Sequence, residues 1–162
     1  MSDVAVIVGA GPGLGSALAR RFARGGMKVA LARRAADKLK PLLDELGANA
    51  RGYSCDATDE SAVQKLFQQV ASDLGSPSAV IFNAGAFVRK GVLDTSVEEF
   101  ERCWRVSCLG GFLVGREAAR SMLARNNEHK GTIIFTGATA SLRGGALFQN
   151  LAVGKFGDSS PL

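Results

Sequence analysis

The chain has 162 residues, which is enough for one compact domain with a hydrophobic core and too few for two. Apolar residues make up 46% and charged residues 22% of it, a composition typical of globular proteins. The net charge is +5, but lysines and arginines are scattered along the chain. This pattern indicates a solvated basic surface and argues against a nucleic-acid partner.

Cysteine and histidine are too few and too scattered to predict a metal site. The three cysteines, Cys55, Cys103 and Cys108, have no CxxC spacing, and the chain has one histidine. We therefore predict no metal, interpret Cys103 and Cys108 as packed thiols, and expect a reducing, cytoplasmic compartment. No apolar run reaches the length of a membrane span, and the first strand starts too early for a leader peptide, so we predict no membrane partner.

Short apolar runs predict five strands. The first, VAVIV at Val4–Val8, is continuous and β-branched, as expected for a strand buried on both faces. The others are predicted at residues 28–32, 50–54, 79–85, where the last residues form a turn, and 131–136.

Amphipathic helices are predicted in the intervals between these strands. The inward residues are Leu14, Ala17, Leu18 and Phe22 in the first helix, which stops at Gly25-Gly26, and Leu39, Leu42, Leu43 and Leu46 in the second, whose early turns Pro41 strains. A third helix is predicted over residues 59–74. A capping box at Ser96 and Glu99 opens a long helix to about residue 126, with a break expected near residues 107–111.

Strand and helix alternate along the whole chain, with connectors of a few residues. This alternation is typical of parallel strands joined by right-handed crossovers. We therefore predict a single α/β domain over residues 1–162, with a doubly wound parallel sheet between two helical layers.

The most informative chemical motif is a glycine-rich loop between the first strand and the first helix. We predict that it binds a dinucleotide through Gly9, Gly11, Pro12, Gly13, Leu14 and Gly15. Bare glycines let a phosphate reach backbone N–H groups at a helix N-terminus, where the helix dipole favours negative charge. The alternative is a merely flexible turn.

The residues that follow the second strand indicate which dinucleotide would bind. A carboxylate there would hold the ribose hydroxyls of NAD, but this chain has Arg33 and Arg34, whose guanidinium groups can pair with a phosphate. NADP(H) is therefore favoured, and NAD(H) stays an alternative. Two ordinary surface arginines would give the same sequence.

An ordered set of motifs resembles the short-chain dehydrogenase/reductase family, which has a Rossmann-like fold. The glycine loop is similar to the family's TGxxxGxG motif, with Val8 in place of the threonine. Asp56, followed by Ala57, matches the acidic residue that contacts adenine. Asn83-Ala84-Gly85 matches the NAG motif that lines the cofactor site, and residues 104–119 match the family's next helix. The resemblance covers residues 4 to about 156.

The resemblance implies hydride transfer between a nicotinamide cofactor and a small carbonyl or alcohol substrate. In the family, a tyrosine donates the proton, and a lysine four residues later lowers the pKa of that tyrosine. Lys155 matches the lysine, but Leu151 stands where the tyrosine is expected. Tyr53 is the only tyrosine of the chain, and we predict that its place in the third strand prevents it from substituting.

The other two catalytic positions of the family also differ here. The serine that orients the substrate falls on Ala138, although Thr136, Thr139 or Ser141 would supply a hydroxyl in a shifted alignment. The asparagine that holds a relay water falls on Ser107. The catalytic candidates are therefore Lys155, Ser107, Thr139 and Ser141. Lys155 is also a cofactor-binding candidate through the nicotinamide ribose, and its alternative is a plain surface lysine.

Several functional interpretations remain open at this point. The first is an NADP(H)-dependent oxidoreductase with impaired activity, and the second is a non-catalytic NADP(H)-binding or interaction protein. The third is a fragment that binds nothing and associates through its open sheet edge. The family's fold continues past a fifth strand, so we expect a fold truncated there, with residues 157–162 as a loop-like tail. The exposed edge, and the family's use of the lysine-bearing helix in dimers, predict a homo-oligomer.

Overall fold

The computed structural model describes residues 3–126 and 129–158, and these form a five-stranded parallel sheet. The strands are β1 (Val4–Val8), β2 (Lys28–Arg33), β3 (Ala50–Ser54), β4 (Ala79–Phe82) and β5 (Thr132–Phe135). Their order across the sheet is β3-β2-β1-β4-β5, and every neighbouring pair is parallel. The predicted doubly wound α/β fold is confirmed.

Six α-helices accompany the sheet in the described part of the chain. They are α1 (Leu14–Arg24), α2 (Lys40–Leu46), α3 (Glu60–Asp73), α4 (Val97–Trp104), α5 (Gly110–Leu123) and α6 (Gln149–Asp158). One core joins the sheet to α3 and α5, and a second core joins its other face to α1 and α2. The two cores give the three-layer arrangement, and α6 packs against α4 and the segment that follows it.

Strand β1 lies at the centre of the sheet and separates the two cores. Val4, Val6 and Val8 pack into the core with α3 and α5, while Ile7 packs into the core with α1 and α2. All of β1 is buried, as its continuous apolar sequence predicts. The chain leaves β1 toward β2 on one side, and β4 pairs with β1 on the other, so a crevice opens at the carboxyl end of β1.

The inward face of α1 differs from the predicted one. Gly15, Ser16 and Ala19 are the buried residues, whereas Leu14 and Ala17 are exposed. A Cβ added at Gly15 would lie only 2.9 Å from the Cα of Ala10, so the small residues of this face allow the helix to approach the loop closely. Leu18 and Phe22 pack against the core as predicted.

Pro41 does not strain the second helix. A 3-10 turn at Ala36–Leu39 precedes α2, and Pro41 is the second residue of α2. Proline is well tolerated in a first helical turn, because the N–H group that it lacks has no partner there. Leu39 is buried, and the other three leucines predicted to face inward pack around the same core.

The long helix breaks slightly earlier than predicted. The capping box at its start is confirmed, since Ser96 Oγ accepts from the Glu99 N–H at 3.2 Å and Glu99 Oε2 accepts from the Ser96 N–H at 3.1 Å. A π-helical segment, Arg105–Leu109, then separates α4 from α5. Helix α6 packs closely here: a Cβ added at Gly154 would lie 2.5 Å from the Cβ of Ser107.

The last helix is longer than predicted. Gly157 and Asp158 belong to α6 rather than to a loop, and residues 159–162 of the predicted tail lie outside the described residues. A Cβ added at Gly157 would collide with Sγ of Cys108, so tertiary packing against the π-helical segment outweighs the low helix propensity of glycine. Ile134 in β5 is 46% exposed, which fits the predicted open edge.

We predict that Ser96→Ala lowers the free energy of unfolding by about 1 kcal/mol, because the mutation removes the cap of α4. The matched control is Ser72→Ala, which changes an exposed serine near the end of α3. It should leave stability unchanged within about 0.5 kcal/mol. Urea unfolding of the wild type and both variants gives the comparison, and equal losses in the two variants would contradict the assigned role of the cap.

Candidate functional site

A cleft of 610 Å³ lies at the carboxyl ends of β1, β2, β3 and β4. Of the residues predicted to bind the cofactor, it is lined by Gly9, Gly11, Arg33, Arg34, Asp56, Ala57, Asn83, Ala84 and Gly85. These residues come from four separate connections in the sequence. The parallel sheet brings them together because all its strands end on the same side.

Gly9 is required by the fold itself. Its φ of +93° is a left-handed conformation that disfavours residues with a Cβ, and an added Cβ would collide with the backbone amide of Ala84. The Gly9 N–H donates to the carbonyl of Ala32 at 2.9 Å, and the Gly9 carbonyl accepts from Nδ2 of Asn83 at 3.0 Å. The loop after β1 is therefore fastened to the ends of both β2 and β4.

Gly11 and Gly13 face open space, in contrast to Gly9. A Cβ added at either position would meet no atom within 4 Å in the described structure. Gly13 is the N-cap of α1 and provides no side-chain cap, while Ser16 Oγ bonds the carbonyls of Pro12 and Gly13 at 2.8 and 2.9 Å. Among the described residues, no side chain caps α1, and the Ser16 N–H donates to the carbonyl of Gly11, so the N–H groups of Leu14 and Gly15 are those that suit an anionic group.

Pro12, Gly13, Leu14 and Gly15 do not line this cleft, although the sequence grouped them with Gly9 and Gly11. Pro12 and Ser16 line a second cleft of 550 Å³ between α1 and α2. The Leu14 side chain is 51% exposed at the first position of α1, and Gly15 is covered by the loop.

Three cationic side chains stand where β2 ends. Arg33 is half-buried and its Nη1 lies 3.5 Å from the carbonyl oxygen of Ala10, while Arg34 is exposed. Lys38, which no sequence motif indicates, also lines the cleft. Arg33 and Lys38 border the second cleft as well, whereas Arg34 borders a small cleft that contains Glu98 and Glu101. Lys38 follows Arg33 by five residues, across a turn. No sequence motif predicts a cofactor-binding lysine at this spacing.

Asp56 lies beside these cations, because the N–H of the preceding Cys55 donates to the carbonyl of Arg33 and because Asp56 shares the small cleft with Arg34. Its Oδ1 accepts hydrogen bonds from the N–H and the hydroxyl of Thr58, both at 2.9 Å. This turn fixes the carboxylate beside Ala57. Cys55 lines the cleft too, and burial raises the pKa of its thiol to about 11, so the thiol is neutral at pH 7 and is a poor nucleophile.

Lys155 is a buried lysine rather than a surface one. It is 6% exposed, and its Nζ donates to the carbonyl of Thr136 at 2.7 Å. The Thr136 N–H in turn donates to the carbonyl of Phe82. Helix α6 therefore holds this ammonium at the carboxyl ends of β4 and β5, and Leu151 stands half-buried one turn earlier.

The three candidate hydroxyls have different environments. Ser107 is fully buried, and its Oγ has no hydrogen-bond partner in the described part of the chain. It lies beside the main cleft, since a Cβ added at Gly85 would be 3.9 Å from it. Ser141 Oγ accepts from the Ala138 N–H at 3.1 Å and so closes a local turn, while Thr139 is exposed.

Tyr53 is remote from Lys155, as predicted. It lies in β3, the edge strand opposite β5, and its hydroxyl donates to Oδ2 of Asp73 at 3.1 Å. Burial, followed by the hydrogen bond to Asp73, raises the pKa of Tyr53 above its usual range. A phenol in this position cannot exchange a proton with a group held near Lys155.

The sequence and the fold both match known proteins. A family model described as short chain dehydrogenase matches residues 3–159. Versicolorin reductase from Emericella nidulans is 36% identical over 146 residues, covering 87% of this chain and 53% of that protein. Meso-2,3-butanediol dehydrogenase from Serratia marcescens is 35% identical over 160 residues, covering 94% of this chain and 61% of that protein.

Solved structures show the same fold. A short-chain dehydrogenase from Rhodopseudomonas palustris superposes with a TM-score of 0.89 and 38% identity, over 96% of this chain and 73% of that one. A variant of actinorhodin polyketide ketoreductase, solved with NADPH, superposes with a TM-score of 0.89 and 25% identity, over 96% of this chain and 60% of that one.

The chain spans about half to three fifths of the length of these curated relatives. Within residues 3–126 and 129–158, no helix is long and apolar enough to cross a membrane. The family model extends over nearly all of the sequence, from β1 into the last residues after α6. The chain belongs to the short-chain dehydrogenase/reductase family.

Proposed function

We propose that the main cleft binds NADP(H), and that the chain belongs to an oxidoreductase acting on a small carbonyl or alcohol. The observation that carries this proposal is the cradle at Gly11, where the protein supplies no side chain and leaves open space. The N–H groups at the start of α1 are the donors that a pyrophosphate requires. The family membership of the chain supports the same assignment.

The cations at the end of β2 support NADP(H) rather than NAD(H). A ribose 2′-phosphate placed between Arg33 and Lys38 would meet two positive charges, and Arg34 adds a third at the same wall. The sequence has no carboxylate at 32–35 that would repel this phosphate or hold the ribose hydroxyls of NAD. Asp56 would contact the adenine, and Asn83-Ala84-Gly85 would line the far end of the cleft.

The catalytic end supports only weak turnover. The nicotinamide of the bound cofactor supplies the hydride in this family, and the protein must deliver the accompanying proton to the substrate oxygen. Leu151 has no proton to donate, Ala138 has no hydroxyl, and the exposed Thr139 and the turn-bound Ser141 are poor replacements. We propose that Lys155 binds the nicotinamide ribose and that Ser107 holds a water beside it.

A second candidate function, that of a non-catalytic NADP(H)-binding protein, rests on the same absence of a catalytic tyrosine and serine. It predicts a formed cofactor cleft with no turnover. Self-association through the open edge of β5 is compatible with both functions, because Ile134 is exposed there. A cytoplasmic location remains part of the proposal and is supported by the three cysteines, which form no disulfide among the described residues.

Two glycine variants test the cradle. Gly11→Ala should leave the thermal midpoint close to that of the wild type, because its Cβ would meet no protein atom, yet weaken NADPH binding at least about tenfold by occupying the phosphate position. Gly9→Ala should lower stability instead, by about 1–3 kcal/mol. Fluorescence titration with NADPH and thermal unfolding separate the two effects. Unchanged NADPH affinity in Gly11→Ala would count against the cradle.

A charge reversal tests the preference for NADP(H). Arg33→Asp should lower the ratio of NADPH affinity to NADH affinity at least about tenfold, since a charge-assisted phosphate contact becomes a repulsion. Lys65→Asp is the matched control, because it makes the same charge change on the exposed face of α3. Titrations with both cofactors give the ratio. Equal ratios in the two variants would overturn the assignment of Arg33.

Restoring the missing groups tests the catalytic proposal. With NADPH and a panel of ketones and aldehydes, Leu151→Tyr combined with Ala138→Ser should raise turnover at least about 100-fold, because a general acid contributes that much. Leu151→Phe with Ala138→Ser is the control, since phenylalanine has the ring without the hydroxyl. Rapid, saturable turnover by the wild-type chain would instead refute impaired catalysis, and equal rates in the two double variants would refute the role of position 151.

A further inference from the structure

An aromatic stack lies outside the cofactor cleft, in segments that follow the carboxyl ends of β4 and β5. The rings of Phe87 and Phe148 stack with centroids 5.3 Å apart and planes 12° from parallel. The guanidinium of Arg89 lies over the Phe148 ring, 5.8 Å from its centroid. Phe87 is 43% exposed and Phe148 is 37% exposed, so this stack presents an aromatic surface to solvent rather than filling a core.

The stack lies near the proposed catalytic end. Phe87 follows Gly85, which lines the cleft, by two residues. Phe148 immediately precedes α6, and its carbonyl accepts from the N–H groups of Leu151 and Ala152. Residues 148, 151 and 155 fall on one face of this helix, so Phe148 lies about 10 Å from Lys155 along the axis. A small-molecule ligand can span that distance.

Hydrogen bonds hold the two parts of the stack together. Gln149 Nε2 donates to the carbonyl of Lys90 at 2.7 Å and to Thr95 Oγ1 at 3.0 Å. Asn150 Nδ2 donates to the carbonyl of Val88 at 3.1 Å and to the same hydroxyl at 3.2 Å. The start of α6 is thus bonded to the segment that carries Phe87 and Arg89, and the aromatic surface is preorganised.

Two features of the backbone and side chains next to Phe148 lower the stability of the fold. Leu147 has a φ of +65°, the one left-handed residue other than glycine in the described part of the chain. Asn150 is fully buried, and its Oδ1 lacks a hydrogen-bond partner among the described residues. Strained backbone and unsatisfied buried polar atoms concentrate at binding sites. Both features flank Phe148 within two residues.

Arg89 differs from the other arginine that lies over a phenylalanine. Arg116 lies over Phe112 on α5, but it is also paired with Glu60 and Glu117. Arg89 is exposed and takes part in none of the ion pairs among the described residues. The positive charge at the stack is therefore available to an anionic group from outside the chain.

From these observations we propose that the Phe87–Phe148 stack and Arg89 form the substrate subsite, and that it takes a flat aromatic carbonyl compound bearing an anionic group. The ring of the ligand packs on the exposed surface of the stack beside Arg89, and its anionic group pairs with that guanidinium. The carbonyl then extends along α6 toward Lys155. This assignment of substrate class rests on the proposed oxidoreductase function, but the binding surface itself does not require the cofactor.

The test uses 2-naphthoate as a probe, with its own fluorescence as the readout, on the full chain. Naphthoate should bind saturably, and Phe87→Leu should weaken binding at least about fivefold through loss of the ring contact. Phe112→Leu, which alters the matched aromatic–arginine pair on α5, should leave binding unchanged. Equal effects of the two substitutions, or no saturable binding at about 5 mM probe, would overturn the proposal.

A separate set of binding measurements tests the role of Arg89. Arg89→Gln should weaken naphthoate binding about fivefold while leaving the neutral analogue 2-naphthamide unaffected. Decahydronaphthalene-2-carboxylate, which has the charge without the flat ring, should bind more weakly than naphthoate in the wild type. Equal binding of the saturated and aromatic acids, or equal effects of Arg89→Gln on acid and amide, would contradict the proposed ligand chemistry.

NADPH titration of the same variants separates this inference from the proposed function. Phe87→Leu and Arg89→Gln should leave NADPH affinity unchanged, because neither side chain lines the cofactor cleft. If the wild type fails to bind NADPH while the naphthoate pattern holds, the proposed oxidoreductase function fails and the aromatic subsite stands. If NADPH binds and the naphthoate pattern fails, only the subsite is overturned.

Discussion

The contact of backbone on backbone at Gly9 is the constraint on which the site depends. Gly9 passes so close to the end of β4 that no side chain fits, and its N–H and carbonyl bind the ends of β2 and β4. This approach closes the turn after β1, so that α1 starts at the carboxyl end of β1 and packs back on one face of the sheet. The N-terminus of α1 consequently faces the crevice between β1 and β4, and the cations after β2 border the same crevice.

The parts of the molecule that sequence predicted well are those fixed by local chemistry. The run Val4–Val8 is apolar throughout and β-branched except at Ala5, which strongly favours a buried strand, and the capping box at Ser96 needs only its own four residues. The buried face of α1 and the length of α6 were mispredicted because contacts from distant segments decide them. Gly15 lies against Ala10, and Gly157 lies against Cys108.

The same distinction divides the candidate site. The positions of Gly9, Gly11 and Asp56 at the cleft could be predicted, because each follows a strand of the parallel sheet within a recognisable motif, whereas their roles stay predictions. Lys38 and the Phe87–Phe148 stack could not, because each depends on which loops meet above the sheet. The stack joins residues 61 positions apart, and nothing in either local sequence indicates its partner.

The cofactor half and the catalytic half of the site therefore depend on different kinds of interaction. The proposed cofactor binding rests on backbone N–H groups and on charges spread over several residues, so we expect that no one side-chain substitution abolishes it. In the proposed function, proton delivery would need one hydroxyl at one position, where this chain has Leu151. Lys155 keeps its place independently of that position, because its anchor is the backbone carbonyl of Thr136 rather than a phenol. The proposed combination of a formed cofactor site with a missing proton donor is therefore physically consistent, since the hydrogen bond that orients Lys155 belongs to the fold and does not need the missing phenol.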